Sequence, residues 1–155
     1  MELTDLLLEK NITISAAESC TGGLFAKTLT DRSGISAVFE GSVVTYSNRI
    51  KHQLLGVKEE TLANFGAVSP QTAEEMARGI CTLMGSQVGV GITGIAGPDG
   101  GTAQKPVGLV YVGLYWTSHQ KLSVLELHLF GTRQQIRQQT VETACKALCK
   151  LLTEF

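Results

Sequence analysis

The 155-residue sequence is short of charge: 13 Lys and Arg stand against 14 Asp and Glu, for a formal net charge of -1, and charged residues make up only 17% of the chain. A general nucleic-acid binder needs a basic excess or a basic stripe, so that class is excluded, although one anionic ligand requires only a few local donors. No apolar run approaches 18 residues, which excludes a membrane-spanning helix. The N-terminus, MELTDLLLEK, carries acids at amphipathic spacing and lacks the basic-then-apolar order of a signal peptide. Without a secretion signal the glycosylation triplet Asn11-Ile12-Thr13 carries no weight, and cytoplasm is the expected location. The four cysteines (Cys20, Cys81, Cys145, Cys149) form no CxxC pair and have no His at zinc spacing, so no metal is expected. They read as small apolar residues in a reducing compartment, with Cys145 and Cys149 one helical turn apart. A Walker sequence, a GxSxG elbow, an internal repeat and a low-complexity linker are all missing.

What is present is a 43% hydrophobic chain of the size of one domain, spanning 1–155. Apolar spacing predicts a helix over 2–10, a strand over 12–18 and a helix from Gly22 to about Thr30. A β-branched strand over 38–46 follows, then a helix capped by Asn48 and ended by Gly56, and a short helix over 59–64. Pro70 opens a longer helix reaching Met84, and 87–93 is a strand. After a Gly-rich loop come strands over 107–116 and 121–130, joined by four residues of hairpin length, and Thr132 caps a last helix over 133–153. Strands alternating with helices and then a hairpin imply a single three-layer α/β/α domain with a mixed sheet.

Gly89, Gly91 and Gly94 satisfy GxGxxG, but the dinucleotide reading needs that pattern to turn from a strand into a helix. Here Gly89 and Gly91 lie within a strand, and Gly97-Pro98-Asp99-Gly100-Gly101 cannot open a helix. These glycines are read instead as room for close backbone approach.

Three segments hold candidate chemistry. Ala17-Glu18-Ser19-Cys20-Thr21-Gly22-Gly23 ends a strand and enters a helix, where free N–H groups can receive an anion; an ordinary tight turn is the plain alternative. The stretch from Ser36 to Lys51 holds a serine before a strand, Tyr46 at the strand's end and a lysine in the next helix. A serine alcohol needs a base, which a desolvated amine can supply, with Tyr46 passing a proton or orienting the lysine. On spacing alone, a capping Ser36 and a solvated Lys51 are the simpler reading. The third segment, Thr93 to Gly108, has five glycines and two prolines, which shape a loop too long for a plain turn. Its N–H groups can cradle an anion or hold a carboxamide; a surface loop with no ligand is the plain alternative. Arg133 and Arg137, four apart at a helix N-terminus, oppose the helix dipole, a cost that an anion between them would relieve; a simple solvated face is the plainer reading of the pair alone.

In this order the segments AESCTGG (17–23), SAVFEGSVVTYSN (36–48) with Lys51, GAVS (66–69) and TGIAGPDGGTAQKPVGLVYVG (93–113), with FGTR and IR in the last helix, resemble the C-terminal domain of the CinA family, the nicotinamide-nucleotide amidases. The resemblance implies hydrolysis of nicotinamide mononucleotide to nicotinic acid mononucleotide and ammonia, with no cofactor. It carries the nucleophile to Ser36, the activating lysine to Lys51, the tyrosine to Tyr46 and the phosphate arginine to Arg133. Ser19, Thr21, Gly22, Gly23, Thr93 and Gly94 match the family's binding loops, and Arg137 is a further binding candidate. It also implies a homodimer. Many relatives carry an N-terminal domain resembling molybdopterin-binding proteins; this sequence opens directly on the amidase domain, so a stand-alone form is expected. Two rivals stay open: a non-catalytic pyridine-nucleotide-binding or scaffold domain of the same fold, and an enzyme whose nucleophile is Ser19 or Cys20.

Overall fold

A computed structural model describes all 155 residues. Its centre is one five-stranded sheet in the order β2-β1-β3-β4-β5. The strands are β1 (Ile14–Glu18), β2 (Phe39–Val44), β3 (Val88–Gly94), β4 (Leu109–Trp116) and β5 (Lys121–His128). β1 runs parallel to both β2 and β3, whereas β4 is antiparallel to β3 and β5, so the sheet is mixed as expected. The central strands β1 and β3 are buried along nearly their whole length, as strands covered by helices on both faces are.

Helices cover both faces. α1 (Leu3–Lys10), α2 (Leu24–Thr30) and α6 (Arg133–Thr153) enclose the main core with Phe25, Leu29, Ile136, Ala144 and Leu148 against the sheet. On the other face α3 (Asn48–Leu55), α4 (Glu59–Phe65) and α5 (Pro70–Met84) gather around Leu55, Val57, Met76 and Ile80. The domain is a single three-layer α/β/α unit. The last helix begins where its cap predicts: Thr132 and Gln135 exchange hydrogen bonds with each other's backbone N–H, a reciprocal capping box. The cap of α3 differs by one position. Ser47, not Asn48, accepts from Ile50 N at 3.2 Å, and Asn48 is the first helical residue.

The glycines of the rejected dinucleotide pattern act as read. A Cβ on Gly89 or Gly91 would strike the carbonyl of Ala77 or Ala73 on α5, and one on Gly113 of β4 would strike Ala73 as well. The three bare positions form a seat that lets α5 approach the sheet more closely than side chains allow.

Candidate active site

Parallel strands leave their carboxyl ends together, and the turns that follow them are the usual place for chemistry in such sheets. Here β1 delivers Ser19, β2 delivers Thr45 and Tyr46 and then Lys51 in the first turn of α3, and β3 delivers Gly94 and the long loop. Lys51 is buried, 1% exposed. Its Nζ lies 2.9 Å from Ser19 Oγ, 2.8 Å from the Thr45 carbonyl and 3.1 Å from the Tyr46 carbonyl. Burial lowers the pKa of the amine from its ordinary 10.5 to about 8, against a small opposing influence from Cys20. No carboxylate pairs with it. In its neutral form the amine gives its two N–H bonds to the carbonyls and directs its lone pair at the Ser19 hydroxyl, which is the geometry of a general base beside a nucleophile.

Ser36 lies elsewhere. It is exposed in a short 3-10 turn, Ile35–Ala37, that precedes β2. Because Phe39 pairs with Ile14 and Val44 with Glu18, the length of β2 separates Ser36 from Lys51. Five residue steps at about 3.3 Å each give roughly 16 Å. Ser36 therefore cannot be the partner of Lys51, and the serine the fold brings to the lysine is Ser19. Cys20 is the weaker candidate next door: burial holds its thiol up at about 11, against weaker lowering influences from its own backbone N–H, Arg137 and Lys51.

The turn around Ser19 is fixed from inside. Glu18, wholly buried, accepts from Thr21 Oγ1 at 2.7 Å, from Phe25 N at 2.9 Å, from Ala26 N at 3.1 Å and from Ser42 Oγ at 3.3 Å. The N-terminus of α2, expected to receive a substrate anion, is thus filled by the protein's own carboxylate. Thr21 is used up in this way, and its carbonyl accepts from Arg137 at 2.9 Å. Gly22 and Gly23 take positive φ, 57° and 103°, to complete the turn, and the Arg137 guanidinium lies against Gly22. Thr21, Gly22 and Gly23 are accordingly supports of the site and do not line its cleft. Thr93 is turned away too, its hydroxyl donating to the Ala67 carbonyl at 2.7 Å. Within the turn, Gly22 N and Leu24 N bond back to Ser19 and Thr21, whereas the N–H of Cys20 makes no such bond.

A cleft of about 200 Å³ opens onto Ser19, lined also by Cys20, Tyr46, Gly94, Asp99 and Arg133. Arg133 spans it, donating to the Gly97 carbonyl at 2.8 Å and to the Tyr46 hydroxyl at 3.2 Å. Tyr46 therefore meets Lys51 through its backbone carbonyl, while its phenol, 62% exposed residue and all, faces Arg133. Arg133 and Arg137 together border an adjoining groove with Leu24, Gln134 and Gln138. A larger space of about 720 Å³ between α1, α2 and α6 holds no comparable constellation, so volume does not select the site. No group of His, Cys, Asp and Glu is arranged to hold a metal ion, and no helix is long and apolar enough to cross a membrane.

The model of the CinA C-terminal domain matches residues 1–152. The chain belongs to the CinA C-terminal domain family. A CinA-like protein from Endomicrobium trichonymphae is 53% identical over 147 residues, covering 95% of this chain and 34% of that protein. A second, from Dictyoglomus turgidum, is 51% identical over 138 residues, 89% of this chain and 33% of that protein. This CinA-family chain thus spans about a third of the length of the curated relatives it matches. Among solved structures, the competence/damage inducible protein CihA from Agrobacterium tumefaciens is 42% identical with a TM-score of 0.90, covering 96% of this chain and 94% of that one. A CinA superfamily protein from Klebsiella pneumoniae is 32% identical with a TM-score of 0.94, over 99% and 94% of the two chains.

Proposed function

We propose that this CinA-family domain is an amidohydrolase that converts nicotinamide mononucleotide and water to nicotinic acid mononucleotide and ammonia, with Ser19 as nucleophile and Lys51 as its base. The observation that carries the proposal is the buried, carboxylate-free Lys51 amine 2.9 Å from the Oγ of Ser19, a residue that lines an open cleft. Lys51 Nζ takes the Ser19 proton as Oγ bonds to the carboxamide carbon. The Cys20 N–H, immediately after the nucleophile and without a backbone acceptor, turns from its own thiol to the oxyanion as a donor. Lys51 returns the proton to the departing nitrogen, the C–N bond breaks and ammonia leaves. Water then attacks the acyl-serine, giving a proton to Lys51, and Ser19 recovers its hydrogen as the acid departs. Arg133, on the cleft wall, receives the 5′-phosphate, so that binding energy far from the amide positions it.

Ammonia release from nicotinamide mononucleotide tests this, comparing the native chain with Ser19→Ala, Lys51→Met and Ser36→Ala. The native chain and Ser36→Ala are expected to turn over alike, and the other two to lose at least about a thousandfold in kcat/KM. Retained turnover in Ser19→Ala with loss in Ser36→Ala would overthrow the assignment. Nucleotide binding without ammonia from any of the four would favour the non-catalytic binding domain.

A further inference from the structure

The cleft has one carboxylate, and this mechanism leaves it idle. Asp99 lines the cleft together with Ser19, two residues beyond the Gly97 carbonyl that holds Arg133. None of the protein's ion pairs includes it. Asp99 and Arg133 line the same cleft of about 200 Å³, so both charges act on a ligand that fills it. A ligand bearing only a phosphate is drawn by the guanidinium and repelled by the carboxylate. A ligand with a cation at one end and a phosphate at the other is matched by both. A pyridinium nucleotide has that charge pattern, since the ring nitrogen is formally positive and the phosphate sits across the ribose. Gly94, Gly97 and Gly100 line the cleft beside Asp99 without side chains, which leaves a flat ring free to approach the loop that carries the carboxylate.

We infer that Asp99 selects the cationic, oxidised pyridinium ring over a neutral ring bearing the same amide, ribose and phosphate; the inference rests on the amidase reading of this cleft. The probe pair is nicotinamide mononucleotide and its dihydro form, whose ring nitrogen is uncharged. The dihydro amide is intrinsically less electrophilic, so the informative quantity is the change that Asp99→Asn makes on each substrate separately. On the oxidised substrate the variant is expected to lose roughly tenfold in kcat/KM, mostly as a raised KM. On the dihydro substrate it should stay within about twofold of the native chain. An equal loss on both substrates, or no loss on either, overturns the inference while leaving the amidase intact. If the native chain releases no ammonia from either compound, the amidase reading fails first, and calorimetric binding of the same pair decides Asp99. Preference for the oxidised nucleotide that disappears in Asp99→Asn sustains the inference; binding without preference, or none, overturns it. Asp99 is exposed on a loop, so the variant is expected to fold, which circular dichroism checks.

Discussion

A lysine ammonium has three hydrogens and no lone pair, and Lys51 has three oxygen neighbours, so either protonation state is accommodated but only the neutral one can accept from Ser19. With the amine pKa at about 8, kcat/KM is expected to rise about tenfold per pH unit below that value and level off above it. A pH–rate profile measured between pH 6 and 10 checks this, and a flat profile would remove Lys51 from the base's role. The residue choice also marks where reading the sequence stopped short. Residue types and spacing alone favoured a solvated Lys51, and its pairing with a serine came from the family resemblance; which serine depends on where strands end in space. Ser19 follows the carboxyl end of β1 and Ser36 precedes the amino end of β2, and parallel pairing of the two strands sends those positions to opposite ends of the strands. Placing chemistry at carboxyl ends of parallel strands would have picked Ser19 from the elements already drawn. Nothing in local spacing marks Glu18 as an internal cap, since its four donors come from two separate stretches, residues 21–26 and Ser42.

At the scale of elements, α2 is only seven residues long and has no side-chain cap of its own at Gly23, so its first turn depends on Glu18. Glu18→Ala would strand two backbone N–H groups and two hydroxyls in the interior, and is expected to cost about 3 kcal/mol in urea unfolding. Glu18→Gln keeps one carbonyl oxygen for these donors and should cost less, while a smaller loss for Ala than for Gln would argue against capping. The contact of α5 with the sheet makes a second expectation. Gly91→Ala sets a methyl against the Ala73 carbonyl and the Ala77 nitrogen, both backbone atoms that cannot swing aside. It should destabilise by roughly 2–3 kcal/mol, read from the same unfolding midpoint. Element type and order were legible throughout, because periodicity and capping chemistry are local. The ends of β4 and β5 were placed too far into the loops, since Val107 and Phe130 look like strand residues but Gly108 and Gly131 at positive φ turn the chain beside them.

For the whole molecule, the architecture followed from a simple sequence fact, alternation of strand and helix followed by a hairpin, whereas the thermodynamic cost of the site is visible only once burial is known. Between pH 8 and 10.5 the folded Lys51 has given up a proton that the unfolded chain still holds, so stability rises with pH across that window. The thiols act in the opposite sense. Burial raises Cys20 and Cys145 from 9.0 to about 11, so from pH 9 to 11 the folded state keeps protons that the unfolded state loses, and stability falls. Burial raises the Cys81 and Cys149 thiols as well, and Tyr111 is raised from 10.0 to about 12, so one rising contribution against five falling ones leaves a net decline above pH 9. The stability of the native chain is therefore expected to climb from pH 8 to a maximum near 9 and then decrease. Lys51→Met removes only the rising limb, because a thioether of similar length carries no proton. Subtracting the variant's unfolding free energies from the native values at each pH isolates the lysine. That difference should grow by up to about 3 kcal/mol between pH 8 and 10.5. A difference independent of pH would mean that the folded and unfolded amines have the same pKa, and with it the neutral base beside Ser19 would lose its physical origin.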